Sequence, residues 1–86
     1  MANREHLNIA KSGVSKWNAW RKKDKSIKPN LRNADLRVKD FAGYDFSGVN
    51  FRDADLSWVN FEGAILEGVD LTDAFLYEAH LEDINF

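Results

Sequence analysis

The chain has 86 residues and no cysteine, so it has room for one domain held by packing and hydrogen bonds, without disulfides, thiolate metal sites or a cysteine nucleophile. Its net charge of −2 hides an asymmetry: residues 1–28 carry eight Lys or Arg against two acids, whereas residues 29–86 carry four against twelve. No stretch reaches the roughly 18 consecutive apolar residues of a membrane span, and the amino terminus lacks the apolar core of a secretory signal, so a cytoplasmic location is expected.

The first element is predicted as one helix from an Asn3 N-cap to about Lys23. Leu7, Ala10, Val14 and Trp17 form one apolar stripe, widened by Ile9 and Trp20. Such a stripe requires something to cover. Gly13 beside Ser12 marks either a bend or a close backbone approach. Lys16, Arg21, Lys22, Lys23, Lys25 and Lys28 gather around the helix end with Trp17 and Trp20. A nucleic-acid or anionic-lipid patch competes there with a solvated helix end matched to the helix dipole. The second reading is preferred, because the tryptophans lie on the stripe to be buried. Residues 24–30, closing on Pro29, form the connection.

From Leu31 to Phe86 every fifth residue is Leu or Phe, twelve times without a miss. Five-residue spacing puts successive side chains on opposite faces of a strand and roughly 140° apart on a helix. The chain must therefore bend once per pentad. Two residues before the Leu/Phe the side chain is mostly small, as at Ala34, Val49, Ala54 and Ala64, and just before it stands Asp or Asn in nine of twelve pentads. Those carboxylates and amides suit corner hydrogen bonds, and the Gly, Asn or Asp two residues after the Leu/Phe suits turn conformations.

Ala34-Asp35-Leu36, Ala54-Asp55-Leu56, Val49-Asn50-Phe51, Val59-Asn60-Phe61 and Val69-Asp70-Leu71 resemble the A(D/N)LXX signature of pentapeptide-repeat proteins. The preceding helix, with Trp17, Trp20 and Arg21, is similar to the leader of some bacterial members. The resemblance implies an all-β solenoid, a right-handed quadrilateral β-helix with four pentads per coil. The twelve pentads of residues 29–86 would make three coils about 14 Å tall, with residues 1–28 as an α-helical cap and connector. Departures from the pattern fall at Lys39 and Tyr44, where a small residue is expected, and at Ile65, Phe75 and His80, where Asp or Asn is expected.

Repeat stacks need covered ends. Leu7, Ala10, Val14, Trp17 and Trp20 are expected to cover the first coil, with a tryptophan against Leu31, Leu36 or Phe41 and the stem of Lys39 running beneath the helix. At the far end Leu71, Leu76, Leu81 and Phe86 would lie under an unpaired edge. Two explanations compete: end-to-end self-association, or continuation of a longer chain.

Catalytic chemistry has little support, since His6 and His80 fall in no nucleophile, metal or phosphate-loop motif. No cofactor or metal is expected, and the chain is read as a non-enzyme. With four pentads per coil, Val38, Trp58, Phe75 and Tyr77 point outward on one wall, where they would either contact a protein partner or lie beneath the leader helix. The alternative function comes from the resemblance: some members look like duplex DNA and inhibit or protect type II topoisomerases. A column about 14 Å tall would match only about four base pairs, so a protein partner ranks above a nucleic-acid role.

Overall fold

A computed structural model describes residues 1–86, with two helices followed by a region of repeated corners. Helix α1 spans Arg4–Ala10. Asn3 begins it: the side-chain oxygen accepts the His6 N–H at 3.1 Å, and Glu5 sits favourably in the first turn. Helix α2 spans Val14–Lys23, ends in Arg21, Lys22 and Lys23, and gives way at Asp24.

The single helix expected from Asn3 to Lys23 is thus two. Gly13 separates them at φ 112° and ψ 163°, backbone values that other residues rarely adopt. A Cβ built there would meet nothing within 4 Å, so the glycine serves a dihedral need and no backbone approaches it closely. The break also shifts the phase of the apolar stripe. Ala10 and Trp17 are buried and Leu7, Ile9 and Trp20 are half-buried, but Val14 is 39% exposed and does not belong to the buried face. Its Cγ2 instead lies 3.7 Å from where a Gly43 Cβ would stand.

Beyond Pro29 the chain meets itself every twenty residues. Parallel bridges join Asn30 to Asn50, Asp35 to Asp55, Asp40 to Asn60 and Asp45 to Ile65, and the same register continues to His80. Four pentads therefore complete a circuit. Each rung is double: Asp55 N–H donates to Ala34 C=O at 2.9 Å, and Leu36 N–H donates to Asp55 C=O at 3.0 Å. The bridges stay isolated, without continuous strands, because a corner interrupts the extended backbone in every pentad.

The corners have a common construction. The Leu/Phe carbonyl accepts the N–H three residues on, as in Ala54 to Phe51 at 3.0 Å. The residue two after the Leu/Phe has positive φ at every corner from Asn33 to Asp83, between 55° and 77°, as the third position of a type II turn requires. In eight pentads the preceding Asp or Asn Oδ1 also accepts the backbone N–H two residues later. Ile65 and Phe75 have no side-chain acceptor for this bond, and His80 does not make it.

Inside, Leu31, Leu36, Phe46, Phe51 and Leu56 are wholly buried. Phe41, Phe46, Phe51 and Phe61 interlock at centroid distances of 4.9–6.4 Å, mostly edge to face. Inward-phase Tyr44 is buried as well, and its hydroxyl donates to Ala10 C=O at 2.8 Å. Lys39, at an inward phase, is exposed and lines a depression together with Lys11 at the end of α1.

Helix α2 supplies partners to the open edge of the first circuit. Asn18 donates to Gly43 C=O and accepts Asp45 N–H. Trp17 Nε1 and Arg21 Nη1 both donate to Asp45 C=O, and Arg21 Nη2 donates to Ser47 C=O at 2.7 Å. One circuit further on, equivalent groups bond to the neighbouring turn; here side chains replace that turn. These bonds set Trp17 against Tyr44 and Phe46, at 6.0 and 5.3 Å, within the core cluster that also holds Leu31, Leu36 and Phe41. Arg21 is correspondingly buried and is not part of the solvated basic set.

Candidate functional site

One corner series breaks the turn rule. Twenty-residue spacing stacks Val38, Trp58 and Glu78, all at positive φ, where the other corners use Gly, Asn or Asp. A β-branched residue in this region is a true outlier, and a non-glycine residue there costs on the order of 1–2 kcal/mol. Backbone strain of this kind concentrates at working surfaces.

The side chains around that series are exposed: Val38 72%, Trp58 53%, Tyr77 65% and Phe75 63%. Neither α1 nor the connector covers them. Trp58 meets Tyr77 edge to face at 5.3 Å, and Trp58 N–H donates to Tyr77 C=O at 2.9 Å. Val38 N–H donates to Ser57 C=O in the same register. Phe75 stands in the Asp35 and Asp55 ladder and makes no ring contact with the Trp58 and Tyr77 pair.

Above Trp58 the surface is cationic. Arg37 binds Asp35 through two bonds of 2.9 Å and reaches Asp55 at 3.8 Å. The bond from Arg37 holds the Asp35 carboxyl down at about 2, below the ordinary 3.8. Lys11, at the end of α1, and Lys39 line the same depression. Arg37 could be suspected from its place two residues after Asp35. Lys11 could not, because its position follows from the Gly13 break.

The end residues form a second apolar surface. Leu71, Leu76 and Leu81 are half-buried and packed on the core, while Phe86 is 58% exposed. Among the leader residues, His6 Nδ1 accepts the Asn30 N–H at 3.0 Å, and its ring lies 5.0 Å from Trp20. His80 is exposed, 3.8 Å from Glu82. No three His, Asp or Glu side chains converge as a metal site. No helix is long and apolar enough to cross a membrane.

The twenty-residue register and the repeated corner agree with a family match: pentapeptide repeats, in 8 copies, over residues 30–63 and 50–86. The chain belongs to the pentapeptide repeat family. Pentapeptide repeats in general build a right-handed quadrilateral β-helix, in which the buried Leu and Phe fill the column and the outward positions between corners are free to vary. In this pentapeptide-repeat protein outward positions carry Trp58, Tyr77 and Arg37. Comparisons with curated proteins and with solved structures gave no match.

Proposed function

We propose that the protein is a non-catalytic interaction module: a three-coil pentapeptide-repeat column of residues 29–86, closed at one end by the helical segment of residues 1–28, that offers the Trp58 wall to a protein partner. The lid role of α1 and α2 is supported by the edge bonds from Asn18, Trp17 and Arg21. The partner role is carried by one observation: large apolar side chains are held exposed on corners whose backbone geometry disfavours them. Rigid ladders on both sides reduce the ordering cost of binding there.

The test is affinity capture with wild type, Trp58→Ala and Glu67→Ala, the last lying two corners away. Loss of a captured protein with Trp58→Ala alone supports the wall; undiminished capture removes it. Self-association through Leu71, Leu76, Leu81 and Phe86 is a separable use of the far end. Light scattering on wild type and Leu81→Lys decides it, a monomeric mass for both being the negative result. Topoisomerase inhibition by DNA mimicry ranks lower, because Asp53, Asp55 and Asp70 lie 3.6–3.8 Å from Arg32, Arg37 and Arg52, so the acidic surface is partly neutralised.

A further inference from the structure

Two depressions meet at the upper end of the Trp58 wall. The first, about 390 Å³, is lined by Lys11, Asp35, Arg37, Val38, Lys39 and Trp58. The second, about 620 Å³, lies between α1 and the first circuit, with apolar Met1, Ala2, Leu7 and Ala34 beside Arg4. Lys11 and Asp35 belong to both, so the two adjoin.

The groove has a definite chemistry. Arg4, Lys11, Arg37 and Lys39 bring four positive charges; Arg37 is engaged by Asp35 and Asp55, which leaves Arg4, Lys11 and Lys39 without an ion pair. An apolar site waits at each end: Leu7 with Ala34, and Val38 with Trp58. From Asp53 onward the chain has nine acids and no Lys or Arg, so the positive field is local. A long polyanion tracking along the column would meet repulsion, whereas a short acidic segment would not. The aliphatic site at Leu7 and Ala34 also suits a side chain better than a nucleobase, which binds by stacking on aromatic or guanidinium planes.

We propose that this groove binds an extended acidic peptide with two apolar anchors, one against Leu7 and Ala34 and the other against Val38 and Trp58, its carboxylates facing Lys11 and Lys39. The inference deepens the interaction reading above and depends on it.

A phage library of random dodecapeptides selected on the full chain tests both levels. Enriched peptides should carry two or more Asp or Glu flanked by Leu, Phe or Trp. Their affinity, read by fluorescence anisotropy of the labelled peptides, should fall about tenfold in Lys11→Gln/Lys39→Gln and also with added salt. Both lysines are exposed, so the variant should keep the wild-type circular dichroism and melting midpoint. Peptides without acids that still lose binding in Trp58→Ala would overturn the acidic groove and leave the wall intact. Peptides indifferent to Trp58→Ala, or no enrichment at all, would overturn both. Tighter binding of oligo(dT) than of any selected peptide, sensitive to the same lysines, would reassign the groove to single-stranded nucleic acid.

Discussion

At the residue scale, most of the stabilising detail lies in short local bonds. In eight pentads the Asx acceptor before the Leu/Phe satisfies an amide that the inter-turn rungs do not use, whereas Ile65 and His80 leave their own pentads without this bond. His80→Asn should therefore raise stability by about 0.5–1 kcal/mol, since His80 is exposed and polar and the change gives up little apolar burial. Urea denaturation would measure the gain; an unchanged or lower midpoint would contradict it. His6 provides a pH-dependent counterpart. Its Nδ1 must be unprotonated to accept the Asn30 N–H, and burial lowers its pKa below the ordinary 6.5, with Glu5 opposing. The folded form binds its proton less readily than the unfolded chain. Its contribution is therefore full above pH 6.5 and is lost as pH falls through the lowered folded value. The carboxylates with lowered pKa, Asp24, Asp35, Asp45 and Asp70, act in a different window, losing their contribution as pH falls below the ordinary 3.8. The urea midpoint of wild type should drop between pH 7 and pH 5.5, while that of His6→Asn, which keeps an acceptor but cannot titrate, should stay flat.

At the element scale, the helical segment shows where sequence patterns stop being sufficient. The N-cap at Asn3 and the basic end of α2 are legible, because each depends on residues within one turn. The separation at Gly13 was visible only as a choice between a bend and a close approach, since composition does not reveal the sign of φ. That sign then decided the exposure of Val14 and the burial of Arg21. Arg21 shows the difficulty best: in sequence it belongs to a run of cations, yet its guanidinium is occupied by the carbonyls of Asp45 and Ser47, and burial lowers its pKa against the opposing charge of Asp45. Nothing in the local sequence announces carbonyls twenty-four and more residues away. Gly13→Ala should cost about 1–2 kcal/mol through the disfavoured φ alone, space being available. Thermal unfolding would register it as a lowered midpoint; an unaltered midpoint would mean that α1 and α2 can join without loss.

At the scale of the whole molecule, the pentad rhythm was readable because burial recurs with a period that neither helix nor strand can satisfy. The buried ladder from Leu31 to Leu66 follows it residue by residue. The wall at Trp58 was legible only with the assumption of four pentads per circuit, and its cationic border was not, since Lys11 arrives from another element. A stack held mainly by contacts between adjacent turns should accept insertions in units of one circuit. Duplicating residues 41–60 should preserve the fold and raise the denaturation midpoint, because it adds buried ladder positions and a further set of rungs. Duplicating residues 41–45 alone should instead rotate later outward positions by one corner and separate Val38 from Trp58, abolishing wall-dependent capture without unfolding the column.

The rungs themselves can be observed. Through-hydrogen-bond NMR couplings on isotope-labelled protein should link Asp55 N–H to Ala34 C=O, Asn50 N–H to Pro29 C=O and Leu36 N–H to Asp55 C=O. Each bond then spans nineteen or twenty-one residues, as a twenty-residue circuit demands. Couplings confined to carbonyls four residues back over Leu31–Phe86 would mean helices in place of stacked turns, and would contradict the account.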